Sequence, residues 1–336
     1  MKRLLSIFIV ACALVSCENG GELNGPNNDP KAIAFGSVVT KAPVTNANQI
    51  LEFGVWAQMN HGKEGEEGYG EYEHILEGER VWRADIASPW GYENTRYWVD
   101  NRVFHFFAVY PYGTTATSST LNQSGSSYDG YRVSFAMDKD ADDDLMIAYK
   151  TENTDGSGTY PESVSMDFGH ILSNVTFNVK KNALNEHADI YLKKAALKNV
   201  WKNGAYRTSR FSGYTDSWRT TSVSGQKTTL DIECEYTTTP LPELHHQNYS
   251  NAFGRELLIL PQTLDPTGDA PIELEITYVY NNNTKTATTV LPAITWEAGK
   301  KYTYNVQMHP EDNYIRINTP TVSYWGSSSG GSLLIQ

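Results

Sequence analysis

Leu51-Glu-Phe-Gly-Val-Trp-Ala-Gln-Met59 sets Leu51, Phe53, Val55, Ala57 and Met59 at every second position, with Glu52, Gly54, Trp56 and Gln58 between them. Successive side chains of an extended chain point to opposite faces, so this spacing gathers the apolar set on one side of a strand. A helix would scatter the same residues around its axis. The period recurs at Tyr131, Val133, Phe135 and Met137; at Val175, Phe177 and Val179; at Ile272, Leu274, Ile276 and Tyr278; and at Tyr302, Tyr304, Val306 and Met308. Val103 to Tyr110 is apolar or aromatic apart from His105, which predicts a strand buried on both faces. The best helical stretch, 183–196, contains Asp189-Ile-Tyr-Leu192 and reads as extended there. Twenty-one tyrosines suit pleated surfaces. Together the patterns predict an all-β fold of sandwich type.

The punctuation between strands predicts the organisation. Residues 60–72 carry Gly and Glu with almost no aliphatic side chain, as an exposed loop does. Residues 151–162 read as a long turn or linker and set the expected boundary between an N-terminal β-sandwich domain, 35–162, and a C-terminal one, 163–336.

The beginning of the chain predicts its compartment. Lys2 and Arg3 precede an apolar run from Leu4 to Val15 that is too short to span a bilayer. It ends in Leu14-Val-Ser-Cys17, the pattern a lipoprotein signal peptidase reads. Residues 1–16 are therefore expected to be a signal peptide, Cys17 a lipidated N-terminus, and 17–34, rich in Gly, Asn, Pro and Asp, a flexible tether. Two or more acyl chains hold a protein to a membrane durably, each buried methylene contributing about 0.8 kcal/mol. Cys12 leaves with the signal and Cys17 carries lipid, so Cys234 has no partner for an intramolecular disulfide. Loss of Lys2 and Arg3 takes the net charge from −12 to −14, which argues against nucleic acid and anionic membrane surfaces as partners.

Patterns that could carry chemistry fail on context. Gly326-Ser-Ser-Ser-Gly330 has the letters of a nucleophile elbow, but the acid and histidine that must follow it have no room. Asp138-Lys-Asp-Ala-Asp-Asp-Asp144 opens like a calcium loop, yet Asp143 stands where Gly is needed and Tyr149 where the closing Glu belongs. His245 and His246 point to opposite faces if extended and find no third ligand beyond Glu243. His105 and His170 read as core or turn groups. No metal, cofactor or enzymatic activity is implied. One aromatic cluster, Trp82, Trp90, Tyr92 and Trp98, is a candidate glycan contact, since aromatic rings stack on sugar faces; such rings also fill sandwich cores.

Several segments resemble the fimbrillin family of Bacteroidales-type lipoprotein pilins and pilus accessory subunits. They include Ile33-Ala-Phe35 with Val39-Thr-Lys-Ala42, Phe104-His-Phe-Phe-Ala-Val-Tyr-Pro111, Asp144-Leu-Met-Ile-Ala148, Phe168-Gly-His-Ile-Leu-Ser-Asn-Val-Thr-Phe177, Leu258-Ile-Leu-Pro-Gln262, Ile294-Thr-Trp-Glu-Ala-Gly-Lys-Lys-Tyr-Thr-Tyr304 and Val322-Ser-Tyr-Trp325. The resemblance implies two tandem transthyretin-like β-sandwich domains in an outer-membrane, surface-exposed lipoprotein. It also implies assembly with other pilus subunits by strand exchange, in the service of adhesion to a host or bacterial surface. A protease cut near the first strand would open a groove that a neighbour's C-terminal strand fills. Lys41 and Ala42 match the processing site; family members often have Arg there, and no Arg lies between Cys17 and Arg80. The matching donor segment is 313–336, where Ile315, Ile317, Val322, Tyr324, Leu333 and Ile335 alternate; the same residues also read as ordinary last strands of the second domain. The alternative function is a surface lipoprotein that binds glycans for nutrient uptake.

Overall fold

The structure, a computed structural model, describes residues 29, 31–40, 50–62, 72–114, 116–119, 130–208, 217–220 and 228–325. Among the described residues the chain forms twenty-two strands and no α-helix. In the first half these are β1 (Phe35–Thr40), β2 (Glu52–Asn60), β3 (Tyr72–Trp82), β4 (Val103–Tyr110), β5 (Ala116–Ser119), β6 (Gly130–Ala136), β7 (Met146–Asn153) and β8 (Val164–His170). The second half contributes β9 (Ser173–Lys181), β10 (Ile190–Trp201), β11 (Asn203–Arg207), β12 (Ser217–Thr220), β13 (Thr229–Glu235), β14 (Ser250–Asn251), β15 (Leu257–Ile259) and β16 (Gln262–Leu264). It ends with β17 (Glu273–Tyr280), β18 (Asn283–Val290), β19 (Ile294–Trp296), β20 (Lys300–His309), β21 (Tyr314–Ile317) and β22 (Thr321–Tyr324). The helical option at 183–196 shrinks to one 3₁₀ turn, Ala183–Asn185, capped by the Asn182 side chain, before β10 runs extended.

The first sheet has the order β1-β8-β7-β4-β2-β3. Four of the five apolar residues spaced by two behave as predicted, Phe53, Val55, Ala57 and Met59 entering one core with Phe104, Phe106, Met146, Ala148 and Phe168. Leu51 precedes β2 and is exposed, since among the described residues no facing strand covers the sheet there. The sheet is not flat. Three strand spacings, about 14 Å, separate β8 from β2 in its order. Yet the Phe168 and Phe53 ring centroids lie only 5.3 Å apart. The β1–β8 ribbon therefore folds back over β7, β4 and β2, and the core fills the fold.

A second core lies between two sheets, β13-β10-β17-β18 and β14-β9-β20-β21, with β15 and β22 extending the latter. Val175, Phe177, Val179, Tyr302, Tyr304 and Val306 meet Leu192, Leu197, Leu274, Ile276 and Tyr278 there, two apolar faces interdigitating as in a sandwich. Its central pair, β9 and β20, runs parallel and in unbroken register from Asn174↔Lys301 to Lys181↔Met308.

Between the two lies a third apolar cluster. The outer face of the first sheet, with Phe107, Val109 and Ile147, packs against a sheet of order β12-β11-β6-β5, with Tyr131, Val133 and Tyr206. That small sheet is shared, because β6 and β11 pair from Asn203↔Ala136 to Arg207↔Arg132. Val103–Tyr110 is thus buried on both faces, by two different cores.

The division at 162/163 differs from what the strands do. Val164, Met166 and Phe168 of β8 fill the first core, and β8 pairs with β1 and β7. The 154–162 turn joins two strands of one sheet, with Thr154 buried and its hydroxyl donating to the Val99 carbonyl at 2.6 Å. Turn composition marks where a strand stops, whereas a core boundary depends on where the next strand returns.

Candidate functional site

The two regions with functional promise are the first strand and the C-terminal edge. Upstream of β1, residues 31–34 are sewn to the loop between β3 and β4. Ile33 N–H donates to the Arg96 carbonyl at 2.8 Å, Trp98 N–H to the Lys31 carbonyl at 2.7 Å, and the Tyr92 hydroxyl to the Ile33 carbonyl at 2.8 Å. From Phe35 the chain pairs in parallel with β8 (Phe35↔Val164, Val38↔Met166, Thr40↔Phe168), with a bulge between Phe35 and Val38. Among the described residues β1 ends its sheet, with a strand neighbour on one side only. What holds it is apolar. Phe35 sits edge-on to Phe53 at 6.1 Å, Tyr92 at 5.5 Å and Phe106 at 6.2 Å, and Val38 packs on the same core. Withdrawing β1 would uncover those rings and leave β8 with an unpaired edge. Lys41 and Ala42 follow β1 directly in sequence; they and Cys17 lie outside the described residues.

At the other end, β21 and β22 both pair antiparallel with β20, β21 along Val306–His309 and β22 along Lys300–Thr303. Their side chains differ. Ile315 is buried and Ile317 packs against the second core, whereas Val322 and Tyr324 are 45% and 55% exposed. Register puts Val322 opposite Tyr302, a core residue, so it lies on the core side of the sheet but beyond the cover of the facing one. Trp325 closes the strand, its N–H donating to the Gly299 carbonyl at 2.8 Å. Leu333 and Ile335 lie outside the described residues.

The aromatic cluster proposed for glycans is distributed differently. Trp90 and Trp98 are buried in the first core. Trp90 meets Phe53 at 4.9 Å and lies beneath the Arg83 guanidinium at 4.3 Å; Trp98 meets Phe104 at 4.7 Å and Phe106 at 5.9 Å. Neither offers a free ring face, because the 83–102 loop is the cover of the folded sheet and these indoles are its underside. Tyr92 is partly buried, which raises the pKa of its hydroxyl, and Trp82 is partly buried beside Arg80 at 5.7 Å.

The acidic run is engaged locally. Asp138 Oδ1 accepts from Asp140 N–H, the Arg255 Nε donates to the Asp140 carbonyl at 2.9 Å, and Asp144 bonds His170 at 3.0 Å. Burial, then the neighbouring Asp142 and Asp138, raises the pKa of Asp143. His245 and His246 lie near different acids, Glu243 at 3.9 Å and Glu186 at 3.6 Å. Among the described residues no His, Cys, Asp and Glu group is placed to hold a metal, and no helix is long and apolar enough to cross a membrane. Burial pulls the His105 imidazole down to about 4. His170 is the residue whose part was least visible in sequence: its ring lies flat under Trp325, a contact between segments far apart in the chain.

A fimbrial protein of Bacteroides vulgatus has a similar fold, with TM-score 0.59 and 18% identity over 88% of this chain and 99% of that one. A candidate cell adhesion protein of Bacteroides uniformis is similar at TM-score 0.50 and 16% identity, over 89% and 99%. Comparison with curated proteins finds no match. The family model described as fimbrillin-like matches residues 40–325, from the end of β1 to the tryptophan that closes β22, and the chain belongs to that fimbrillin-like family.

Proposed function

We propose that this chain is a structural or accessory subunit of a surface fimbria, anchored to the outer membrane through Cys17 until processing and joined to other subunits by strand exchange, with adhesion as its service. The observation that carries the reading is β1: among the described residues an edge strand paired on one side, whose Phe35 plugs an aromatic pocket and whose last residue immediately precedes Lys41. A cut after Lys41 leaves β1 as a separate piece held by four residue pairs with β8, the backbone ties of residues 31–34 and the packing of Phe35. A neighbour's strand that refills the slot with about five apolar side chains, at roughly 1.5–3 kcal/mol each, gains on the order of 10 kcal/mol before ordering costs. The C-terminal strand is the supply, since β22 gives its own sandwich almost no buried side chain.

Brief trypsin treatment of purified protein is expected to yield a form that builds laddered multimers on non-reducing gels without boiling, and deletion of 313–336 is expected to abolish the ladder. Trimmed full-length protein that stays monomeric by light scattering would overturn the strand-exchange reading.

A further inference from the structure

Resting on that strand-exchange reading, we propose that the buried His170 ring is a docking socket for Trp325, and that β8 couples this socket to β1, so that a subunit frees its own C-terminal strand only after losing its first strand. All four residues of β22 are exposed, so side-chain packing does little to retain it. Its fixed points are four backbone pairings with β20, the Trp325 N–H bond to the Gly299 carbonyl and the Trp325 indole. That indole packs on the edge of the third cluster, with its ring 3.8 Å from that of His170 at an interplanar angle of 15°. The socket is built to receive a flat ring. The His170 side chain is 1% exposed, and Nδ1 is bonded to Asp144 Oδ1 at 3.0 Å, which prevents the imidazole from turning. Among the described residues Nε2 has no hydrogen-bond partner, and the indole lies nearly parallel over the ring.

The coupling follows from where His170 sits. It is the last residue of β8, the strand on which β1 rests. On its other side β8 meets β7 through two residue pairs, Met146↔His170 and Ile147↔Gly169. With β1 in place β8 is held along Val164–Phe168; without it, those two pairs and the core contacts remain. The same event that opens an acceptor slot therefore loosens the platform under Trp325. On this proposal β8 is the element that both ends of the chain bias, β1 along Val164–Phe168 and Trp325 at His170, and the exchange experiment tests whether it has the second state that coupling requires.

Hydrogen exchange of the 321–325 peptide tests this in intact protein and in protein cut after Lys41. Cutting is expected to speed exchange about tenfold, the scale of losing one aromatic stack. Trp325→Ala should give fast exchange before cutting and little further change after it, while Trp325→Phe should fall between. Trp325 is half-buried at the end of the last strand, outside the three cores, so these variants report even if His170→Ala fails to fold. Equal exchange in intact wild type and Trp325→Ala would overturn the socket. Unchanged exchange on cutting, with a ladder still forming, would overturn the coupling and leave strand exchange standing. Faster exchange on cutting with no ladder would support the latch and remove the assembly reading.

Discussion

At the scale of single residues, Trp98 illustrates how burial decides a role. Its indole touches Phe104 and Phe106 in the first core, so Trp98→Ala should cost about 3–5 kcal/mol, read as a fall in the urea midpoint. In sequence Trp90 and Trp98 looked like a sugar platform, because an indole carries the same letter whether it lies under a loop or on top of it. His105 gives the pH counterpart. Its pKa in the fold is about 4, below the ordinary value of 6.5, so the unfolded chain takes up a proton first as pH falls. Stability is whole above about pH 6.5 and declines toward pH 4, by on the order of 1–2 kcal/mol after allowing for partial exposure. Urea midpoints at pH 7 and pH 4.5 should differ less in His105→Gln than in wild type.

Strands were the most legible elements, and their partners the least. The alternations beginning at Leu51, Val175, Ile272 and Tyr302 each became a strand with the expected inner face, Leu51 alone falling outside it and exposed. The pairing of Asn203–Arg207 with Arg132–Ala136 left no local trace, since hydrogen bonds between distant segments impose no period on either one. The same ignorance moved the boundary at 162/163, because Val164 and Met166 cannot announce which sheet they will join. For β1, pairing is now a lever. Val38 and Met166 face each other in register. Facing Cα atoms on neighbouring strands lie about 4.8 Å apart, within disulfide reach. Val38→Cys with Met166→Cys, in a Cys234→Ser background, is expected to block laddering after trypsin under oxidising conditions and to restore it with reductant, as read on gels.

For the whole molecule, the shared β5-β6-β11-β12 sheet and the cluster around Phe107 and Tyr131 join the two larger cores. Unfolding should therefore be a single calorimetric transition, and Val133→Asp, which puts a charge into the junction, should split it into two. The remaining border of the first sheet, β3, is unlike β1. It is eleven residues long and broken by two register shifts against β2, and it carries Glu73, Glu77, Glu79 and Arg80, features that discourage a stranger's strand from adding on. A particle with one negotiable border and one spare segment has a valence of two. On the proposed strand exchange such particles would string into threads, and the charged, kinked border would keep the threads from knitting sideways into mats.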